Sequence, residues 1–286
     1  MTPTPATHDL SALCTQVRRD ILRMVYAVQS GHPGGSLGCT ELLVALYFGH
    51  LRHRPGSFTM DGVGEDLFFL SVGHISPVYY SVLARSGYFP VPELATFRKL
   101  NSRLQGHPTT HEHLPGVRIA TGSLGQGLSV AVGAALAKRL NNDPHHVYCL
   151  CGDGEVNEGQ IWEAALFAAH HKVDNLVAMI DWNGKQIDGN THDVLATGDL
   201  AQKWAAFGWD TFVLEQANDL GAVQAALREA TGRLGKGRPV MLLLKTTMGY
   251  GVDFMADDYR WHGKAPNAEL FEKALAQLPE TALGDY

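Results

Sequence analysis

Positive charge is in short supply in this 286-residue chain. Its 23 Lys and Arg are outnumbered by 29 Asp and Glu, leaving a formal net charge of −6. That balance excludes the basic footprint by which a protein holds nucleic acid. Long apolar runs are missing as well: none approaches the ~20 residues that cross a bilayer, so no membrane partner is expected. The opening MTPTPATHDL lacks the basic-then-apolar order of a secretory signal. The expected location is the cytoplasm, with residues 1–8 flexible. Cysteine is sparse: Cys14, Cys39, Cys149 and Cys151. The last two stand two apart in an apolar run and so share one face of a strand. With no turn between them and no second ligand pair, they read as core packing rather than a zinc site. There is no repeat, no low-complexity tract, no linker long enough to split the chain, and no GxGxxG after the first strand.

What remains is a chain with 45% hydrophobic and 18% charged residues, enough for a substantial core in a single domain spanning 1–286. Short apolar runs at 66–71, 147–151, 176–180, 210–214 and 240–246 read as strands. Helical spacing is expected over 10–29, over 41–48 with Thr40 as its cap, after Pro77, over 93–100 and 128–140, from near Glu158, and over 199–207, 219–234 and 267–278. The 128–140 helix, LSVAVGAALAKRL, is apolar or small all round. It is expected to be buried on most sides, between the sheet and a partner subunit. Strands alternating with helices give the expected fold class, a three-layer α/β/α arrangement on a mostly parallel sheet.

The chain centres on 147–189. A strand runs straight into Gly152-Asp153-Gly154, a helix follows, and a second strand delivers Asp181-Trp182-Asn183-Gly184. Both turns belong at the carboxyl ends of parallel strands, where ligands bind in open α/β sheets. A glycine-flanked Asp with an Asn one βαβ unit later suits a hard, oxygen-seeking cation that also takes phosphate oxygens. The helix start nearby offers N–H groups to an anion. An ordinary strand-to-helix turn explains the bare GDG equally well.

Histidine is plentiful, at 14 residues. His8, His50, His53, His145-His146 and His170-His171 read as surface residues, and His111-Glu112-His113 as a solvated loop. Four others adjoin glycine in loops: His32, His74, His107 and His262. Imidazoles near neutral pH move protons and bond hydroxyl or phosphate oxygens, which suits polyhydroxylated, phosphate-bearing ligands.

SGHPGGSLG (30–38), VGH (72–74), QGHP (105–108), TGSLGQG (121–127), GDGEVNEGQIWEA (152–164), DWNGKQIDG (181–189) and WHGKAP (261–266) occur in the order found in transketolases. Over essentially its whole length the chain resembles the amino-terminal half of that family, the domain that binds the diphosphate of thiamine diphosphate (the PP domain). The resemblance implies Mg²⁺, with Ca²⁺ or Mn²⁺ as substitutes, on Asp153, the Asn183 side chain and the Lys185 carbonyl. It implies cofactor contacts from His74, Gly122, Ser123, Leu124, Gly154 and Lys264, with Asn183 shared. It gives His32, His107 and His262 to donor hydroxyls and proton transfer, and Glu158 to the subunit interface linking two active sites. Ser123 departs from the proline common there. Trp182 stands where an acidic residue or Asn is frequent, and Val72 and Met248 occupy positions that are basic in some animal members.

The family's aminopyrimidine-activating glutamate and sugar-phosphate arginines belong to a region that would follow WHGKAP. The expectation is therefore the first subunit of a split transketolase. It would pair as α₂β₂ with a second chain carrying the pyrimidine-binding and carboxyl-terminal domains, and transfer a two-carbon ketol unit between sugar phosphates. A branched or sulfonated ketose is the specialised alternative. A 2-oxoacid dehydrogenase α subunit ranks lower, since it shares GDG…N but neither SGHPG nor TGSLGQG. A non-catalytic binding module also ranks low, because Asp153, Asn183 and the four histidines are all intact.

Overall fold

A computed structural model describes residues 9–286; the expected flexible segment 1–8, with His8, lies outside them. Helix α1 (Leu10–Val28) begins at Asp9, whose carboxylate accepts the Ser11 and Ala12 N–H groups and so satisfies two donors that the helix leaves unpaired. SGHPGGSLG is more regular than a loop: Pro33–Gly38 forms a short helix, α2, with proline at its start. Helix α3 (Thr40–Gly49) follows directly. Thr40 is not its cap; Cys39 occupies that position, and the Thr40 hydroxyl donates back to the Ser36 carbonyl at 3.2 Å.

Strand β1 (Leu67–Leu70) leads to helix α4 (Ser76–Arg85). Where a helix is expected over 93–100, only a 3₁₀ turn at Val91–Thr96 forms. Pro90 and Pro92 withhold N–H donors at its start, and Arg98 and Asn101 take the left-handed conformation at φ 54° and 61°. Next come α5 (Gln126–Leu140), β2 (Val147–Gly152), α6 (Gly159–His170) and β3 (Leu176–Asp181). A two-residue ladder joins β4 (Lys185–Gln186) to β5 (Gly189–Asn190). The chain continues through α7 (Thr191–Val194), α8 (Leu200–Ala206), β6 (Asp210–Leu214), α9 (Leu220–Arg233), β7 (Val240–Leu244) and α10 (Ala268–Ala276).

Among the described residues, five strands form one parallel sheet in the order β1-β2-β3-β7-β6. Their period-two alternation divides the core. Phe68, Leu70, Tyr148, Leu150, Val177, Met179, Leu242 and Leu244 face α1, α3, α4 and α9. Phe69, Cys149, Cys151, Ala178, Ile180 and Leu243 face α5, α6 and α8. The three-layer arrangement is therefore as expected. Cys149 and Cys151 share the second face, sulfurs 4.0 Å apart, and all four cysteines are buried thiols. No helix among the described residues is long and apolar enough to cross a membrane.

One sequence expectation fails on long-range contacts. His50 and His53 are half-buried rather than superficial: His50 Nε2 bonds the Tyr148 and Thr231 hydroxyls, and His53 bonds the Tyr88 hydroxyl and Tyr47 carbonyl. His145 and His146 are also half-buried, with His145 against Asp143, whereas His170 and His171 are more open. Within the single chain, helix α5 is covered by the sheet on one side, and the expected cover by a partner subunit concerns the other. Leu128, Ala131, Val132 and Ala135 pack inward, while Val130 is 42% and Leu140 83% exposed in the single chain. Leu166 and Phe167 of α6 are bare as well.

Charged contacts fasten the periphery. Asp20 of α1, fully buried, takes Arg85 Nε and Nη2 at 2.5 and 2.8 Å and the Ser81 hydroxyl at 2.6 Å. Residues 279–286 return over α1. Asp285 accepts Arg19 Nε and Nη2 at 2.9 and 2.7 Å and Gln16 Nε2 at 2.9 Å, and Arg23 donates to the Tyr286 carbonyl at 2.7 Å. The Arg19 guanidinium holds the Asp285 carboxyl well below the usual range.

Candidate functional site

The carboxyl ends of β1, β2 and β3 open onto a pocket of about 280 Å³. The register sets its floor: Gly152 pairs with Asp181 across β2 and β3, and the Asp153 N–H reaches the Asp181 carbonyl at 3.1 Å. Two carboxylates therefore arrive side by side below the surface. Asp153 accepts N–H groups from Gly154 at 2.8 Å and Gly184 at 2.7 Å. Burial and the neighbouring Asp181 charge nevertheless push Asp153 up to about 8. Asp181, whose carboxyl burial likewise raises, accepts the Thr246 hydroxyl and the Asn183 amide nitrogen at 2.8 Å. That second bond fixes the Asn183 side chain, with its Oδ1 toward the Lys185 N–H at 2.9 Å.

Four loops bring the glycine-flanked histidines over this floor. Ring centroids lie 5.1 Å apart for His32 and His74, 5.4 Å for His32 and His262, 4.8 Å for His74 and His262, and 6.0 Å for His32 and His107. Burial is the main reason all four lie below the ordinary imidazole range. His262, Arg98 and His107 add to it at His32, which falls to about 3. The cluster is therefore neutral at pH 7, each ring offering one donor and one acceptor. Nδ1 of His32 and of His262 is buried without a partner, as is Nε2 of Gln186, and all three side chains line the pocket.

The loops are held by a residue that sequence reasoning missed. Glu155, buried just after the Gly152–Gly154 turn, accepts the Gly125 N–H at 2.8 Å, the Gly152 N–H at 3.0 Å and the Ser71 hydroxyl. Ser71 in turn accepts the Gly127 N–H at 3.1 Å. One carboxylate thus ties the end of β1, the start of α5 and the end of β2. Gly73 brings two of these loops together more closely still. A Cβ there would stand 2.2 Å from the Thr121 hydroxyl oxygen and 2.9 Å from the Gly122 nitrogen.

Most expected site residues line the pocket: His32, His74, His107, His262, Gly122, Leu124, Asp153, Gly154, Asn183 and Lys185. Three do not. Ser123 is exposed beside it; Lys264 is exposed with its ammonium over the Trp261 ring at 5.4 Å; and Glu158 is exposed at the N-cap of α6. The Glu158 Cβ lies 2.8 Å from where a Cβ on Gly125 would be, so this residue abuts the 121–127 loop from outside the pocket. Asp181 and Gln186 were not singled out by sequence. A carboxylate ending an otherwise apolar strand was the available signal for Asp181.

Residues 11–279 match one family, described as transketolase, thiamine diphosphate binding domain. The chain belongs to the transketolase family. It is 37% identical over 282 residues to an apulose-4-phosphate transketolase subunit of Actinobacillus succinogenes, covering 98% of this chain and 100% of that protein. It is also 37% identical to a 6-deoxy-6-sulfo-D-fructose transketolase subunit of a Clostridium species, covering 94% and 96%. Mouse transketolase is 34% identical, with 96% of this chain and 43% of that protein covered. Among solved structures, the Pichia stipitis transketolase in complex with sedoheptulose-7-phosphate superposes with a TM-score of 0.87 at 31% identity, covering 97% of this chain and 41% of that one. This transketolase-family chain thus spans all or nearly all of its short relatives, which are named as subunits, and about two-fifths of the longer ones, as a split amino-terminal subunit does. The family's reaction is ketol transfer.

Proposed function

We propose that this chain supplies the diphosphate-and-cation half of a two-chain transketolase, working with thiamine diphosphate and Mg²⁺. The observation that carries the reading is the convergence of four neutral imidazoles above the Asp153–Asn183 floor. The floor fits a divalent cation because two buried carboxylates lie together there with no positive charge between them, a costly arrangement that a cation relieves. Among the described residues no group of three or more His, Cys, Asp or Glu is placed to hold a metal. A cation here therefore draws on Asp153, the Asn183 amide oxygen and the Lys185 carbonyl, with phosphate oxygens completing the shell, a pattern suited to Mg²⁺. His74, the 122–124 loop and Gly154 are the cofactor contacts in this reading, with Lys264 reaching the diphosphate only by leaving Trp261.

The bound cofactor supplies carbanion stabilisation, the means of breaking and making the carbon–carbon bond in ketol transfer. The chain's own residues do the rest. His32, His107 and His262, neutral and at least partly desolvated, each accept a hydrogen bond from one hydroxyl and donate one to another oxygen, orienting a polyol without repelling it. Proton transfer at the hydroxyls falls to the same nitrogens. The pocket walls include the apolar side chains Val72, Leu124, Ile187 and Met248.

The partner in this reading is a second chain carrying the pyrimidine-binding and carboxyl-terminal domains, in an α₂β₂ assembly, with Glu158 at the interface and the complex in the cytoplasm. Free buried thiols suit a reducing compartment. The substrates are a ketose phosphate and an aldose phosphate. The names of the relatives favour a specialised ketose, since one is named for apulose-4-phosphate and another for 6-deoxy-6-sulfo-D-fructose. Co-expression with a chain carrying the pyrimidine-binding domain, followed by a ketol-transfer assay with thiamine diphosphate and Mg²⁺, tests the proposal. Activity only in the pair supports it. Full activity of this chain alone, or none from the pair on any ketose donor, overturns it.

A further inference from the structure

We propose that Gln186 is an additional phosphate-binding residue, donating its side-chain N–H to a non-bridging oxygen of a diphosphate held over Gly154. Its backbone is fixed by the β4–β5 ladder, in which Gln186 pairs with Gly189 and Lys185 with Asn190. Lys185 Nζ anchors that hairpin, bonding Asn190 at 2.8 Å and Asp257 at 2.9 Å. The Gln186 side chain lies over the turn that carries Asp153. Its Cβ and Oε1 stand 3.6 and 3.7 Å from the point where a Cβ on Gly154 would be. The side chain lines the pocket with Asp153, Gly154, Asn183 and His74.

The donor itself is idle. Nε2 of Gln186 is buried and has no hydrogen-bond partner, an arrangement that proteins avoid because the lost solvation is not replaced. An amide nitrogen has two hydrogens and no acceptor capacity, so what completes it must be an acceptor. Beside a cation floor and a bare glycine turn, the acceptor that fits is an anionic oxygen. A neutral amide also adds no charge to a site whose cation already balances much of the diphosphate.

The inference rests on the cofactor reading above, and its test separates the two. Gln186→Leu keeps the bulk and removes the donor; Gln186→Glu replaces it with a carboxylate that repels phosphate. Each variant is purified with its partner chain. Affinities for thiamine diphosphate and for inorganic diphosphate, both with Mg²⁺, are measured by calorimetry, and ligand-free melting is followed in parallel. The expected result is a loss of about 10- to 150-fold for both ligands in the Leu variant, in line with one hydrogen bond to a charged group. A larger loss is expected in the Glu variant. The ligand-free Leu protein should melt no lower than the parent, since an unpaired buried donor has been removed; a purely structural role would lower it. Unchanged affinity for both ligands overturns the assignment, as does a rise in the ketose KM with cofactor affinity intact, which would give Gln186 to the substrate. If the parent pair itself binds no thiamine diphosphate, the cofactor reading falls, and this inference with it.

Discussion

Removing the Glu155 side chain should loosen three loops at once. The carboxylate takes two backbone N–H groups, from Gly125 and Gly152, and the Ser71 hydroxyl, all out of contact with water. In Glu155→Ala both N–H groups lose their acceptor in a space too enclosed for ready rehydration. At about 1–3 kcal/mol for each buried donor left unpaired, the loss is about 2–6 kcal/mol. For a chain of this size, at roughly 2 °C per kcal/mol, the melting temperature should fall by about 4–12 °C. Glu155→Gln retains one acceptor and turns an amide N–H toward the Gly152 N–H, so about half that loss is expected. Calorimetric melting of parent and both variants at pH ~7.5, above the ordinary carboxylate range, checks the order and the size. The loosened 121–127 loop should also weaken thiamine diphosphate binding by about tenfold or more, a change of about 1.4 kcal/mol. If Glu155→Ala melted within about 1–2 °C of the parent, the carboxylate would not be what holds these loops, and the account of how the pocket keeps its shape would be wrong.

Asp153 links pH to ligand. Its folded value, raised to about 8, contributes stability to the ligand-free protein that is fully present below the ordinary carboxylate range and is lost as pH rises through about 8. A cation needs the ionised form, so Mg²⁺-dependent cofactor affinity should tighten about tenfold per pH unit up to about 8 and then level off. Asp153→Asn should retain no cofactor; unchanged affinity would sink the metal assignment. His107→Ala should raise the ketose KM by about tenfold, the worth of one such hydrogen bond, while leaving cofactor affinity nearly intact, as steady-state kinetics and calorimetry would reveal. Arg85→Ala strands the buried Asp20 carboxylate and should cost about 3–5 kcal/mol in denaturant unfolding; a loss under about 1 kcal/mol would mean that water reaches Asp20.

The parts of this molecule that were legible in its sequence are those written locally. Strands such as 147–151 and 176–180 are continuous apolar runs because both faces of a parallel sheet are covered, and helix α1 has a clear apolar stripe behind an Asp cap. The glycine-histidine loops were legible because four of them share a chemistry. What escaped was long-range. Glu155 reads as an ordinary acidic residue near a helix start, and nothing nearby says that its partners are 30 and 84 residues away. His50 and His53 look superficial until Tyr148, Thr231 and Tyr88 are brought to them. The 93–100 segment is expected to be helical, but two prolines and a left-handed Arg98 divert it. Gln186 carries no sequence signal at all; only burial without a partner marks it.

The return of residues 279–286 over α1 bears on the order of events during synthesis. Arg19 is made 266 positions before the carboxylate that neutralises it, and Arg19 also needs the Leu278 carbonyl. Until that distal stretch has emerged, the first helix carries a guanidinium destined for burial with nothing to receive it, so its outer side stays hydrated and its docking incomplete. Because α1 runs directly into the segment bearing His32, the amino-terminal wall of the pocket matures last although it is translated first. A nascent chain halted before residue 278 should therefore hold a formed sheet and an unfinished pocket.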